Sequence, residues 1–313
     1  MVTLVSVIVN FRTERWLPRC VETLCTGDTH TIVLVDNARL DPLVLDSLRQ
    51  MHPMLEYIQC GENVGFGRAN NIGIAKALEK GADYIGIINP DVWFEPGWFE
   101  PILSSFGSYA DYGMLAPLQL EYEGNGLSEW ARKVVGAERV SAWRPSHAPL
   151  DVSWIEGSAM IIRGEVFEKI GGFDEIFDMF FEDNDLCRRA RLAGYKIGVA
   201  PDSRYHHLGS GSFGGNHSIE RNIRCSLSHL IYAMTDPAKS IAANSCEAAY
   251  MLAGLGWGWL AGRHATFPHI AARFVPSLWR KREAIRKKRR RERILAGFVA
   301  DTQKAQREPT RAF

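Results

Sequence analysis

Three carboxylates crowd into four positions of "FFEDNDLCRR", residues 180–189: Glu182, Asp183 and Asp185, behind two phenylalanines and ahead of two arginines. Acids at a helix start are favoured by the positive end of the macrodipole and by unpaired N–H groups, so capping accounts for one or two of them. A carboxylate beside an aromatic wall is desolvated, which raises its pKa toward that of a working general base. Arg188 and Arg189 are expected to pair with Asp185 and Glu182 and to leave Asp183 free to act. By itself the segment fits capping and catalysis equally.

Four other stretches carry groups of the same kind. "VDNARLD" (35–41) ends a β-branched run on Asp36, whose carboxylate can accept the imide N–H of a uracil or thymine, with Asn37 in reach of a ribose; the pair also suits an Asx turn. "ENVGFGRANNIGI" (62–74) leads from a glycine loop into a helix start lined with amides. Gly65 and Gly67 there either bring backbone N–H groups close to an anion or satisfy a turn. In "NPDV" (89–92) Pro90 fixes the direction of Asp91, which can bind one side of a hard divalent cation or sit in a surface turn. "YHHLGSGS" (205–212) offers His206 or His207 to complete a metal site with Asp91, His207 having the better spacing to the glycines; an exposed loop pair is the other reading.

These groups need elements to position them. Up to residue 100, short β-branched runs (4–10, 31–36, 55–60 and 83–89) alternate with helix-period segments, the pattern of parallel strands joined by crossover helices. Asn10, Asp36, Asn37, Asn89 and Asp91 fall at the C-terminal ends of those strands, the edge where ligands bind in a doubly wound sheet. Beyond residue 110 the alternation fades into two short strands, a turn and a helix ended by Gly171 and Gly172. After the acidic segment come a short helix through about Ala193, a strand over 196–200 and a glycine-rich loop over 206–218. From about 221 the chain reads as helical and basic, which divides it into 1–220 and an extension, 221–313.

The composition fits a folded globular chain: 313 residues, 23% charged and 46% hydrophobic. A net charge of +1 advertises no polyanion, so no nucleic-acid partner is expected, although cations concentrate in "RKREAIRKKRRRER" (280–293). Six scattered cysteines without a CxxC pair fit a reduced, cytoplasmic setting. "MVTLVSVIVNF" lacks the features of a signal peptide and reads as a first strand, and "AAYMLAGLGWGWLAG" (248–262) falls short of the ~18 apolar residues of a spanning helix.

Taken in order, "VSVIVNF", "VDNARLD", "ENVGFGRANNIGI", "NPDVWFEPGWF", "WIEGSAMIIRGEVFEKIGGFDE", "FFEDNDLCRR" and "HHLGSGS" resemble the family 2 glycosyltransferases, in the bacterial branch of rhamnosyltransferases that build O-antigen and other cell-surface polysaccharides. The resemblance covers about residues 4–213 and implies an α/β fold of the GT-A type, a doubly wound mixed sheet with a C-terminal helical extension. It places Asp36 at the nucleotide base beside Asn10, Phe11 and Arg12, and the stretch Asn63–Asn71, with Gly65, Phe66 and Asn70, over the nucleotide sugar. Asn89-Pro90-Asp91 stands where relatives carry a DxD, so Asp91, with His207, would hold Mg²⁺ or Mn²⁺; Asn89 removes one of the usual charges. Asp183 matches the catalytic base, and Trp154, Glu156, Gly157 and Glu182 lie toward the sugar or acceptor, with core packing an equal account of Trp154.

The implied reaction is inverting transfer from a dTDP or UDP sugar, rhamnose favoured, to a saccharide or polyprenyl-linked acceptor. Interleaved aromatic and basic residues over 274–298 imply peripheral contact with the inner face of the cell membrane. The rivals are a UDP-hexose donor, a nucleotidyltransferase, whose glycine- and lysine-bearing N-terminal signature is missing, and an inactive scaffold.

Overall fold

A computed structural model describes residues 2–25, 30–145, 147–209, 219–261 and 266–307, with side chains to 297. Its centre is one nine-stranded sheet with helices on both faces. The first strand shows how a sheet is covered on both sides. In β1 (Leu4–Asn10) every residue is buried: Val5, Val7 and Val9 enter one core, Leu4 and Ile8 the other, because successive side chains of a strand point to opposite faces.

The alternating half continues with α1 (Leu17–Leu24), β2 (His30–Asp36), α2 (Pro42–Met51), β3 (Glu56–Gln59), α3 (Phe66–Glu79) and β4 (Tyr84–Ile88). The pairs β1–β2, β2–β3 and β1–β4 are parallel. Helices α1 and α2 bury Leu17, Val21, Leu24 and Leu48 on one face, and α3 buries Ala69, Ile74 and Ala77 on the other. Helix α3 crosses β1 so closely that a Cβ on Gly73 would lie 2.2 Å from a Val7 methyl.

The second half adds β5 (Val92–Phe94), α4 (Phe99–Ser108), β6 (Tyr112–Glu121), a π-helical turn (Ala131–Val135), α5 (Ala137–Ala142), β7 (Leu150–Asp151), β8 (Ala159–Arg163), α6 (Gly164–Ile170), α7 (Glu182–Leu192) and β9 (Lys196–His207). The order is β3-β2-β1-β4-β8-β6-β9-β5, with β7 on β9. Strand β8 is antiparallel to β4 and β6, whereas β6 and β9 run parallel, so the sheet is mixed as expected.

One expectation fails here. The strand expected over 196–200 runs on to His207, so the two histidines lie in the sheet and not in a loop. The ten-residue β6 on one side and β5 on the other supply the missing ladder partners, Trp93 opposite His206 and Val92 opposite His207. Of the glycine-rich loop that follows, 210–218 lies outside the described residues.

Among the described residues three helices follow: α8 (Ile219–Met234), α9 (Ile241–Leu260) and α10 (Phe267–Arg307). Helices α8 and α10 pack on the segment before α7, where Ile231 and Ile285 meet Ile176 and Phe177. Among the described residues no helix is long and apolar enough to cross a membrane.

Candidate active site

The approach to α7 is strained. Phe180 and Phe181 both have φ of 66°, a left-handed conformation that costs a non-glycine residue roughly 1–2 kcal/mol. Helix α8 holds the turn in place: Ser228 Oγ donates to the Met179 carbonyl at 2.6 Å, and the Phe181 ring stacks on His229 at 4.5 Å. The consequence is that the first turn of α7 brings Asp183 to the turn before β8.

Asp183 receives the Gly157 N–H on Oδ2 at 3.2 Å and the Asn184 N–H on Oδ1 at 2.7 Å. Burial raises its pKa to about 6 against the lowering pull of those two N–H groups, with the nearby Glu156 charge raising it further. Glu182 is buried, and among the described residues its Oε2 has no hydrogen-bond partner; burial and then the Asp183 charge push its pKa well up. Asp185 is the opposite case. Burial works to raise its pKa, but Arg189, Lys288 and Arg188 overcome that and hold it down at about 2.

The expected pairing of arginines therefore needs correction. Arg188 and Arg189 both bond Asp185, at 3.0 and 2.9 Å, and Glu182 receives neither. Helix geometry is the reason: Asp185 stands three and four residues before the arginines, and Glu182 stands two turns away. Lys288 of α10, which the sequence did not single out, adds a third cation to Asp185 at 2.7 Å.

From Asp183 the polar groups continue across the sheet edge. Glu156 lies 3.7 Å from His207 Nδ1, and His207 Nε2 lies 3.5 Å from Asp91 Oδ1. Gln119 of β6 joins them, with Nε2 2.9 Å from Glu156 and 2.8 Å from His207 Nδ1. Burial lowers the pKa of His207, but Asp91 and Glu156 outweigh it and raise it to about 10. His206 points to the other side of the strand, stacked on Trp93 at 3.6 Å with Nδ1 at the Glu121 carbonyl. Asp91 and His207 are thus the pair that converges, and the 3.5 Å between their ligating atoms is near the roughly 3 Å edge between neighbouring ligands of a small octahedral cation. Among the described residues no group of three or more His, Cys, Asp or Glu side chains is placed so that it could hold a metal ion.

The expected nucleotide side is organised around Asp36. Its Oδ1 accepts from Asn10 Nδ2 and the Ala38 N–H, and its Oδ2 from the Leu40 N–H and the Tyr57 hydroxyl. Burial opposes ionisation of Asp36, and these donors, Tyr57 first, reverse that and hold its pKa below the usual carboxylate range. Two acceptor positions on each oxygen are filled, so Asp36 braces its own loop in this conformation.

Asn37 spans to the next loop, donating to the Gly65 carbonyl at 3.2 Å, while Asn63 accepts the Gly65 N–H. Gly65, at φ 88°, gives α3 its entry. Asn70 bonds back to Phe66 within α3, and the Phe66 ring lies against Phe173 and within van der Waals reach of a Cβ placed on Gly157. Phe11 is half-buried and Arg12 exposed, at φ 58°. Asn89 is tied through its N–H to the Ser158 carbonyl, beside Gly157. Trp154 is half-buried, edge-on to Trp130 at 6.0 Å, against the core. An open cavity of about 860 Å³ adjoins Asp36, lined by Tyr57, Leu40, Glu14 and Arg39 among others.

The mixed sheet with polar groups at its strand ends has the GT-A fold. Residues 6–171 match the family described as glycosyl transferase family 2, which is more than half of the chain, and the chain belongs to that family, on its rhamnosyltransferase-like side. It is 27% identical over 264 residues, 75% of this chain and 78% of the relative, to the N-acetylglucosaminyl-diphospho-decaprenol L-rhamnosyltransferase of Mycobacterium tuberculosis. To rhamnosyltransferase WbbL of Escherichia coli K12 it is 28% identical over 215 residues, 62% of this chain and 79% of that one.

Among solved structures, the mannosyltransferase PcManGT from Pyrobaculum calidifontis, in complex with GDP-Man and Mn²⁺, superposes with a TM-score of 0.55 at 15% identity, over 94% of this chain and 86% of that one. S. aureus TarS gives the same TM-score at 14% identity over 77% of this chain, which spans 41% of its length. These two share the fold. Membership of family 2 removes the nucleotidyltransferase reading.

Proposed function

We propose that the chain is an inverting glycosyltransferase that moves a sugar, rhamnose for preference, from a pyrimidine nucleoside-diphosphate sugar to a saccharide or lipid-linked acceptor in cell-surface polysaccharide synthesis. The observation that carries this reading is Asp183: a carboxylate with a raised pKa, aimed at the Gly157 turn and continuous through Glu156 and His207 with Asp91. Rhamnose is favoured by the names of the mycobacterial and E. coli relatives, and the lipid-linked acceptor by the first of them.

In the reaction, Asp183 takes the proton of an acceptor hydroxyl as that oxygen attacks the anomeric carbon. The bond from that carbon to the diphosphate oxygen breaks on the opposite face, so configuration inverts. Asp183 suits the task because a base with a pKa of about 6 is ionised at neutral pH yet still takes up a proton. Gly157 and Asn184 N–H groups orient its oxygens. Asp91 would hold a Mg²⁺ or Mn²⁺ ion together with His207, whose ring proton the cation would displace, with Glu156 behind His207 fixing the imidazole. When bound, that ion neutralises the charge that develops on the leaving diphosphate.

For the donor base, Asp36 would accept an imide N–H in place of the Tyr57 hydroxyl. The acceptor places the working enzyme at the cytoplasmic face of a membrane, in peripheral contact.

The test is a thermal-shift screen of dTDP-rhamnose and UDP-hexoses with and without Mn²⁺, followed by donor hydrolysis and transfer assays. A ligand that binds the folded state alone raises its melting temperature. The expected result is a shift with a pyrimidine sugar nucleotide in both wild type and Asp183→Asn, with transfer lost in the variant. Retained transfer in Asp183→Asn would refute the assignment of the base.

A further inference from the structure

The basic run of α10 does not face one way. Phe274, Ile285, Lys288 and Glu292, spaced by one helical turn or multiples of it, point into the protein, where Lys288 meets Asp185, Asp174 and Glu292. The outward face, by the same spacing, carries Val275, Trp279, Arg282, Arg286, Arg290 and Arg293, all exposed. This stripe is apolar and aromatic in its first turns and cationic in the rest. Trp279 is 66% exposed and Val275 68%.

The cationic end opens into a groove of about 490 Å³, lined by Ile241, Arg286, Arg289, Arg290, Arg293 and Ile294. Arg289 and Arg293 spend their N–H groups on carbonyls of the α8–α9 turn: Arg289 on Met234, Asp236 and Lys239, and Arg293 on Pro237 and Lys239. That fixes the floor of the groove. Arg286 and Arg290, one turn apart at its rim, make no hydrogen bond or ion pair among the described residues.

Burial and then the neighbouring Arg293 charge lower the pKa of Arg289, against the opposing charges of Asp236 and Glu292. Helix α9 runs antiparallel to α10, its first residue in this groove and Trp259 near its end against Phe267. Glu247 is the one charged side chain in its twenty residues, and Tyr250, Trp257 and Leu260 are exposed along it.

We propose that the groove binds the phosphate headgroup of an anionic lipid, with Val275 and Trp279 entering the headgroup–acyl boundary, so that the α9–α10 pair seats the enzyme on a membrane surface. The inference rests on the membrane-side reading above and names the surface and its ligand. A lipid phosphate fits because guanidinium donors stand beside apolar walls: Ile241 and Ile294 are 60% and 63% exposed, an arrangement that wastes apolar surface in water and uses it at a bilayer.

The experiment is co-sedimentation of the full chain with phosphatidylglycerol-containing vesicles and with pure phosphatidylcholine vesicles, without donor or acceptor, so the result does not depend on which residue is the catalytic base. Wild type is expected to bind the anionic vesicles and to be released by salt. Each arginine near an anionic surface is worth about fivefold in partition, so Arg286→Ala with Arg290→Ala should weaken binding on the order of twentyfold. Trp279→Ala should weaken it as well.

Both changes remove side chains from the outer face, so unchanged melting temperatures confirm that the variants are folded. Equal wild-type binding to both vesicle types, or undiminished binding of the folded double variant, would overturn the proposal. So would stabilisation by inorganic phosphate, lost in the double variant, with no vesicle binding; that outcome would make the groove a site for a free anion.

Discussion

Asp183 and Asp185 lie two positions apart on the first turn of α7, and the protein treats them in opposite ways. Asp185 is enclosed by Arg188, Arg189 and Lys288 and stays ionised far into acid. Asp183 has two backbone N–H groups and an acidic neighbour, Glu156, and its pKa rises to about 6. The difference teaches that proximity in sequence does not decide what a carboxylate does. The cations that could have neutralised the whole acidic turn are drawn to its inner side, partly by α10, and the outer side keeps a carboxylate with a raised pKa.

The most severe way to break the comparison is to neutralise each acid in turn. Asp183→Asn should reduce transfer by about 10²–10⁴-fold, the usual range for a general base, while leaving the melting temperature close to that of wild type. Asp185→Asn should do the reverse first: it takes from buried Arg189 its carboxylate partner and from Arg188 and Lys288 a shared one, and breaking such a buried pair typically costs about 3–5 kcal/mol, read by urea unfolding. If Asp185→Asn were stable and Asp183→Asn unfolded, the roles assigned to the two sides of the turn would be exchanged.

Acid sharpens the same contrast. Activity should fall as pH drops through about 6, roughly tenfold per unit below it, because the proposed base becomes protonated. Stability follows a different curve. The folded pKa of Asp185 is depressed from 3.8 to about 2, so its contribution is complete above the unfolded value and is lost as pH falls toward the folded one. Between pH 6 and 4 the protein should therefore lose activity progressively, to about a hundredth, yet keep most of the Asp185 contribution to its stability, measured by kcat/KM and thermal melts across one pH series. Lys288→Met, which leaves Asp185 two of its three cations, should cost less than Asp185→Asn, about 1–3 kcal/mol.

Much of this arrangement is legible in the chain, and the exceptions have a common cause. The alternating strands place Asn10, Asp36, Asn89 and Asp91 at one edge because period-two burial and polar strand ends are local signals. Asp183 is legible for a similar reason, lying in a dense acidic turn. Gln119 and Lys288 are not. Gln119 is one polar residue within the apolar run "YGMLAPLQLE", and its partners Glu156 and His207 are 37 and 88 positions away. Lys288 sits in a run of cations that differ only by which way the helix turns them, and that direction is set by where α10 packs on α7. The saturation of Asp36 is hidden too, since the Tyr57 hydroxyl that helps fill it arrives from a neighbouring strand.

The smallest expected effect tests whether the Gly157 turn matters through its N–H or through open space beside Asp183. A methyl group at Gly157 would meet Phe66 and the Asp183 Cβ at 3.6 to 3.7 Å, ordinary van der Waals separations, and the backbone there does not have a positive φ. Gly157→Ala should therefore keep the N–H bond to Asp183 and change stability by no more than about 0.5 kcal/mol. If the N–H alone positions the base, the transfer rate and its pH midpoint should stay within about twofold and a few tenths of a unit of wild type. A large loss of transfer with an unchanged midpoint would instead mean that the acceptor occupies the space above Gly157, which would move the acceptor pocket to the Phe66 side of the base.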